Sequence, residues 1–474
     1  MVMPTSVEEV QAVVRIASRH RVPLWPFSQG RNNGYGGAGV LTRGAVLVNL
    51  SKMNRVLEVD EDCAWALVEP GVRFFDLYDH LHEGDYRLWP SVPDLGWGSV
   101  IGNTLEHGLG YTVDGDHPAR QCGMEVVLAD GSVVRTGMGA MDGNPAWATH
   151  KRGFGPSVDG LFMQSDFGIV TKMGVLLQPA PEYFASCQVK VKNFADLAPL
   201  VETMRGLILE RVVEAAHPVI ATPYQSNAID GLGIDPSQWW QGSGPMPEED
   251  LQRMADNTGI GRWAMRFAFY GDRRVIDLSL EIVRERFAMV HGAVVTSRIF
   301  ASDDIEHEAK TQPELSMSGI PSMRQLESLK AARGETFGHL DFSAVAPATG
   351  AHALRMADLL RPAFERWGID YDPSFLLTPR GIILVTLVWF DSADEEEVSR
   401  AYDLFRELVV EARAAGCGLY RSHIEFHDHV AEQYDWGDHA LRRLNSRIKD
   451  ALDPAGILAP GKYGIWSGSL ARDE

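Results

Sequence analysis

Pro26-Phe27-Ser28-Gln29-Gly30-Arg31-Asn32-Asn33-Gly34-Tyr35-Gly36-Gly37-Ala38-Gly39 is the stretch on which the reading of this chain turns. It lies between two short β-like runs, 21–25 and 45–50. Between residues 28 and 39 it holds five glycines, two asparagines and an arginine, too little apolar matter for a core strand. Glycine admits positive φ and lets backbone N–H groups approach a ligand closely, which is how loops cradle phosphate. An ordinary glycine-rich turn has the same composition, so this run alone decides little. A second run of similar chemistry follows, Pro93-Asp94-Leu95-Gly96-Trp97-Gly98-Ser99-Val100-Ile101-Gly102-Asn103-Thr104. Neither has the G-x-G-x-x-G spacing that opens a Rossmann helix, which disfavours a nicotinamide site of that type.

Composition narrows the class. The chain has 474 residues, 45% hydrophobic and 23% charged, which suits a globular protein of two or three domains with large cores. Asp plus Glu number 64 against 44 Lys plus Arg, a net charge of −20. That argues against nucleic acid or an anionic membrane as a partner, since both call for clustered positive charge. No apolar run approaches the ~18 residues needed to span a bilayer, and no signal peptide is visible. The four cysteines, Cys63, Cys122, Cys187 and Cys417, are scattered without a C-x-x-C pair. Neither a zinc framework nor a disulfide scaffold is expected, and a reducing cytoplasmic location is the plain reading.

In chain order, Ser6 with Glu9 fits a capping box before Val10, Val13, Val14 and Ala17 at helical spacing. Short β-like runs follow at 45–50, 65–69, 123–129 and 132–135, with a helix-like 74–81 among them and a hairpin signal at Asp130-Gly131. Residues 167–172 and 175–178 read as the last strands of an α+β nucleotide-binding domain, and Pro179-Ala180-Pro181 as its boundary. Beyond it, helical patterns at 194–211, 246–256, 274–289, 350–367 and 394–415 alternate with β-like runs at 263–270, 292–299, 337–345 and 382–390. That order suggests a sheet with helices packed on one face. The acidic run Asp394-Glu395-Glu396-Glu397 sits where a helix begins and reads as structural. Residues 228–250 read as a long ordered loop.

The two glycine-rich runs, with Gly108-Leu109-Gly110-Tyr111-Thr112 and Gly115-Asp116-His117, resemble the vanillyl-alcohol oxidase and p-cresol methylhydroxylase flavoproteins, nearest to their bacterial eugenol oxidases. The likeness runs through nearly the whole chain, strongest at 25–178 and 416–466. It implies a two-domain FAD-linked oxidase of the p-cresol methylhydroxylase type. An α+β FAD-binding domain would span 1–180, and a substrate or cap domain with an antiparallel sheet covered by helices would span 181–415. The FAD-binding domain would return over 416–474, where Asp453-Pro454, Gly456 and Pro460-Gly461-Lys462 resemble the ending of many flavin oxidases. The family usually carries a further N-terminal segment, so the resemblance leaves open a trimmed or mis-started N-terminus here.

The resemblance also assigns roles. FAD would be held by Ser28, Gln29, Gly30, Arg31, Asn32, Asn33 and Gly34, by Leu95, Gly98, Ser99, Gly102 and Asn103, and by Gly168, Ile169, Val170 and Lys462. By itself Tyr420-Arg421 reads as a packing pair; the resemblance makes it, with Tyr35, the anchor of a substrate phenol oxygen. One guanidinium and two hydroxyl donors around one oxygen favour phenolate, which eases hydride loss from the para benzylic carbon. Asp94, a turn residue on its own chemistry, would stand beside flavin N5 and handle the proton when water adds. Tyr111, Leu109, Ser374 and Ile383 would line the cavity. His339 alone reads as an ordinary strand histidine. Gly338-His339, Phe342-Ser343, Val345 and Pro347 match the family context in which a histidine tethers FAD covalently.

The activity so implied is oxidation of para-substituted phenols (4-alkylphenols, 4-allylphenols or 4-hydroxybenzyl alcohols) through a p-quinone methide, by hydride transfer to flavin N5. Dioxygen would be reduced to hydrogen peroxide, and a homodimer or dimer-based assembly is implied. The rivals are a cytochrome-linked 4-alkylphenol dehydrogenase and an FAD-linked 2-hydroxy acid dehydrogenase; the latter would need a basic carboxylate site. His423, His427 and His429 lack a third ligand and the H-E-x-x-H pattern, so no metal is expected. Relatives carry a histidine pair where this chain has Arg380-Gly381-Ile382-Ile383-Leu384, other polar residues at Ser374, and often an aromatic at Asp114. Substrate preference is expected to differ accordingly.

Overall fold

Helix α1 (Val7–His20) starts at Ser6, whose hydroxyl accepts from the Glu9 amide, as the capping pattern predicts. The other half of the box differs: the Glu9 carboxylate accepts from the Thr5 amide and hydroxyl instead. A computed structural model describes residues 1–214, 217–230, 232–242, 244–302, 304–305 and 315–468. The chain divides into two units, one of residues 1–109, 116–179 and 423–474, the other of residues 110–115 and 180–422.

In the first unit, β1 (Leu24–Phe27) pairs in parallel with β2 (Val46–Asn49), and the first glycine-rich loop connects them. A five-stranded antiparallel sheet has the order β3 (Val56–Asp60), β4 (Trp65–Val68), β8 (Ile169–Leu176), β6 (Gln121–Val127), β7 (Val133–Arg135). The β6–β7 hairpin turns at Gly131, with φ 78°, at the Asp-Gly the sequence offers. Residues 167–178 form one long strand, β8, and a short ladder of β5 (Leu88–Trp89) with β9 (Gln178–Pro179), because Val170, Met173 and Val175 feed one continuous core. Helix α2 (Phe74–Glu83) adds Phe74, Leu77 and Leu81 to that core, and α3 (Val100–Leu105) adds Val100 and Ile101.

The C-terminal return is stitched to β1. The Leu24 amide donates to Ile457 O (2.7 Å), and the Ala459 amide to Leu24 O (2.8 Å). Beneath this seam lies a fully buried cluster: Lys449 Nζ is 2.9 Å from Asp166 Oδ2 and 2.9 Å from Asp453 Oδ2, and donates to Leu458 O. Asp453 also accepts from the Ile457 and Leu458 amides.

The second unit is built on eight strands, each neighbouring pair antiparallel, in the order β13 (Val294–Ala301), β10 (Tyr183–Val191), β12 (Trp263–Gly271), β11 (Val219–Ala221), β15 (Ser374–Leu377), β16 (Gly381–Asp391), β14 (Phe337–Pro347), β17 (Gly418–Arg421). On β14 and β16 one face carries Leu340, Phe342, Leu384 and Val388, all buried. There Phe342 meets Phe405 of the helix Glu395–Ala414, ring centroids 5.6 Å apart. Asp394 caps that helix by accepting from the Glu396 and Glu397 amides, so the acidic run is structural.

Three expectations are corrected. The chain rejoins the first unit at His423 rather than at residue 416, because Gly418–Arg421 are an edge strand of the eight-stranded sheet; Gly110–Gly115 also group with the second unit. The pattern over 350–367 is two helices, Gly350–Leu359 and Arg361–Trp367, the second carrying Pro362 in its first turn, where the ring removes the amide donor a continuous helix would need. The stretch 228–250 is not all loop. It contains the end of a helix, Pro223–Asp230, and the start of another, Glu248–Thr258, with Trp239 and Trp240 packed on Met246, Leu251 and Met254.

Candidate functional site

The first glycine-rich loop is a succession of tight turns. The Tyr35 and Gly37 amides both donate to Asn32 O, and the Gly39 amide to Gly36 O. Gly30, Gly34, Gly36 and Gly37 all have positive φ, the left-handed region that side chains disfavour. At Gly36 a Cβ would also stand 2.6 Å from Ile424 Cγ1, and the Ile424 amide donates to Tyr35 O. Ile424, at the start of the C-terminal return, therefore fixes the backbone on which Tyr35 sits. Nothing in the local sequence marks it, since the contact spans almost the whole chain.

The second loop packs on the first. A Cβ at Gly102 would lie 2.5 Å from Ser28 Oγ, and Arg31 stacks over the Trp97 ring at 5.3 Å. Ser99 caps α3 by accepting from the Gly102 amide and donates to Pro70 O. Gly98 differs: the nearest atom to a Cβ there is Leu95 O at 3.6 Å, an ordinary contact, so the protein's own packing gives no reason for glycine. A strained cradle of backbone amides, opened by glycine where packing does not demand it, fits the pyrophosphate and ring system of a dinucleotide. Asp94 lies on the bend that enters this loop and is partly buried.

Other residues named for FAD have internal partners. Gln29 donates to Gly71 O, Asn103 Oδ1 is 2.6 Å from His117 Nδ1, and Lys462 pairs with Glu106 at 2.7 Å. These hold the loops rather than present free donors. Ile169 and Val170 bury their side chains in two cores, and a Cβ at Gly168 would meet Val126 at 2.5 Å. Only the backbone of that segment is left for a ligand. Leu109 bridges to Asp116 in the first unit. Tyr111 is in the second, where its carbonyl accepts from the Tyr270 hydroxyl.

In the second unit the alternation of β14 places His339, Asp341, Ser343 and Val345 on the face opposite Phe342. Their cross-strand partners on β16 are Trp389, Leu387, Val385 and Ile383, and Ser374 pairs with Val385. His339, Ser374 and Ile383, named separately from the sequence, thus share one face. Ser374 donates to Val385 O. His339 packs against Phe337 and Trp389, ring centroids 6.0 and 5.7 Å away, and its Nε2 is 3.4 Å from Asp341 Oδ2.

Consecutive residues of a regular strand point to opposite faces, so Tyr420 and Arg421 could not work together on an ideal β17. The register shifts here: Ser343 faces Arg421 while Ala344 faces Leu419, leaving Tyr420 as the extra residue. Such a bulge re-aims a side chain, and the Tyr420 hydroxyl and Arg421 side chain are hydrogen-bonded. Burial holds the Tyr420 hydroxyl above the ordinary tyrosine range; Arg421 pulls it down and Asp341 pushes it up. A neutral phenol donor beside a guanidinium can hold one anionic oxygen. Sequence reasoning missed Asp341, although its i+2 spacing from His339 would have found it.

Among the described residues no group of three or more His, Cys, Asp or Glu side chains is gathered as a metal ion would need, and His423 and His427 have local hydrogen-bond partners. His423 Nδ1 accepts from the Glu425 amide. His427 Nδ1 accepts from the Tyr463 amide, and the two rings stack at 4.4 Å.

Residues 1–137 match the FAD binding domain family and residues 383–463 the C-terminal domain of FAD linked oxidases. The chain is 36% identical over 466 residues to the flavoprotein subunit of 4-cresol dehydrogenase (hydroxylating) from Pseudomonas putida, covering 98% of this chain and 87% of that one. It superposes on 4-ethylphenol oxidase from Gulosibacter chungangensis, in its isoeugenol complex, with a TM-score of 0.92 at 38% identity over 99% of this chain and 90% of that one. For p-cresol methylhydroxylase with substrate bound the TM-score is 0.90 at 35% identity, over 98% and 88%.

Proposed function

Because the chain belongs to the p-cresol methylhydroxylase-type family of FAD-linked oxidoreductases, we propose that it oxidises para-substituted phenols. The observation that carries this reading is the register shift on β17, which joins Tyr420 and Arg421 beside Ser343 on the strand that bears His339. A guanidinium next to a neutral phenol hydroxyl suits a phenolate oxygen; because an arginine would also hold a carboxylate, it is the likeness to phenol-oxidising relatives that favours this reading over a 2-hydroxy acid dehydrogenase. Tyr35, Tyr420 and Arg421 hold the phenol oxygen, and Arg421 stabilises the charge when its proton leaves. FAD, when bound, supplies the acceptor for the benzylic hydride. It would be held by the backbone of 28–34 and 95–103, with a tether at His339. The substrate, having lost a proton and a hydride, becomes a p-quinone methide. Water then adds at the benzylic carbon, or a proton leaves the side chain to give an alkenyl phenol; Asp94 handles the proton in the first case. Leu109, Tyr111, Ser374 and Ile383 shape the room for the para substituent.

Dioxygen is the proposed electron acceptor, with hydrogen peroxide as product. A cytochrome acceptor is the second reading, because the Pseudomonas relative is itself a flavoprotein subunit. No described helix is long and apolar enough to cross a membrane. The four cysteines are free thiols, which supports the cytosolic reading; a homodimer completes the proposal.

The test is anaerobic mixing of the FAD-replete protein with 4-ethylphenol, eugenol and vanillyl alcohol in turn. Loss of the flavin's visible absorbance with any of them supports phenol oxidation. Rapid return of colour on admitting air selects dioxygen, and slow return selects a protein acceptor. No loss with all three sinks the substrate class. Acid precipitation tests the tether separately: all yellow colour in the supernatant rules out a bond at His339.

A further inference from the structure

Trp97 stands between Gly96 and Gly98 in the second glycine-rich loop. One face of its indole lies under the Arg31 guanidinium, 5.3 Å from the ring centroid. Its Nε1 is shut off from solvent and has no hydrogen-bond acceptor among the described residues. An indole N–H can only donate, and a buried donor left without an acceptor is costly. Trp65 and Trp147 also carry buried, unbonded Nε1 atoms, but these two pack in an apolar cluster with Leu67 and Ala148. The guanidinium stacked on Trp147, from Arg135, is already paired with Glu125 at 2.8 Å. Arg31 has no carboxylate partner among the described residues. Trp97 is therefore the case in which an unsatisfied donor and an unneutralised cation meet, and they meet where the two loops touch at Gly102 and Ser28.

Resting on the reading of the two loops as an FAD cradle, we infer that Trp97 is a further cofactor-binding residue, whose Nε1 donates to an oxygen of the FAD pyrophosphate. A buried donor with no acceptor in the protein is met by one from outside it. The guanidinium on the same ring makes the place electropositive, which selects a charged phosphate oxygen over a neutral carbonyl of the flavin ring. Room for the ligand is provided next door: at Gly98 a Cβ would meet only Leu95 O, at 3.6 Å. Stacking holds the indole in place before FAD arrives, so little ordering cost is left for binding. No covalent or redox step is assigned to Trp97.

The test uses the full-length His339→Ala protein, which holds its cofactor by contacts alone. FAD and riboflavin are titrated into it by equilibrium dialysis, with flavin absorbance as the readout. Riboflavin has the same ring system and no phosphate. Trp97→Phe keeps an aromatic face under Arg31 and removes the N–H. In the His339→Ala background it should weaken FAD about tenfold or more, as loss of a hydrogen bond to a charged group does. Riboflavin should bind within about twofold of its former affinity, which also shows that the variant is folded. FAD binding that stays within about twofold overturns the inference. So does equal weakening of FAD and riboflavin, since a structural role or a donor to the flavin ring would give that result. If His339→Ala binds FAD no more tightly than riboflavin, the loops hold no pyrophosphate, and the cradle reading falls with this inference.

Discussion

Single atoms decide much of how the glycine-rich loops and the anchor are held. At Gly102 a Cβ would come within 2.5 Å of Ser28 Oγ, so Gly102→Ala should push the two glycine-rich loops apart. We expect purified Gly102→Ala to retain less FAD per chain after dialysis. Trimming the opposing side chain by Ser28→Gly in the same protein should restore part of it, a coupling that independent sites would not show. Arg421→Ala should lower kcat/KM for a 4-alkylphenol at least about tenfold, since a charge-assisted contact contributes ~1.5–3 kcal/mol. A change within about twofold would remove Arg421 from the anchor. Residue types at these places were legible from the sequence. The partners were not: Ser28 for Gly102 and Ile424 for Gly36 lie far off along the chain, and no local pattern encodes a distance through space.

Elements were easier to read than their joints. Period-2 and period-3.6 patterning located the long strands and helices because each buries one continuous stripe. The joints depended on single residues. Pro362 splits 350–367, and the cap at Asp394 sets where the last long helix of the second unit begins. Asp394→Ala leaves the Glu396 and Glu397 amides without their acceptor, and should cost about 1 kcal/mol. Chemical denaturation should show this as a lower midpoint with an unchanged slope; an equal midpoint would mean water replaces the cap fully. The bulge at Tyr420 was invisible beforehand, because register is a property of two strands and the sequence shows one at a time.

At the scale of the molecule, the Asp166–Lys449–Asp453 cluster joins the early part of the first unit to its C-terminal return. One ammonium buried with two carboxylates can neutralise only one of them. Burial therefore pushes the Asp166 carboxyl up to about 7, with Lys449 opposing. An acid whose folded value exceeds its unfolded value, about 3.9, binds more protons when folded. Its stabilising contribution is complete below about pH 4 and is lost as pH rises through about 7. Melting temperature should thus fall from about pH 4 to about pH 7 and level off above it, and the fall should flatten in Asp166→Asn. An equal slope in both proteins would locate the titrating group elsewhere. The same scale sets the identity of the units: Gly418–Arg421 belong with the second, although the motif after them belongs with the first.

By itself the sequence determined the class of protein: the two glycine-rich runs, the acidic composition, the alternation of small α/β pieces with a later sheet, and the family likeness carried by quoted motifs. These are legible because backbone conformation and amphipathic period depend on neighbours a few residues away. Only the tertiary structure decided that Tyr420 is freed by a register shift to pair with Arg421. It alone put Asp341 against His339 and stacked the two glycine loops at Gly102 and Ser28. It also showed that Lys462, Asn103 and Gln29 already have internal partners. Each of these is a meeting of distant segments. Burial and strand pairing select it by the free energy of the whole unit, which no local stretch of sequence contains.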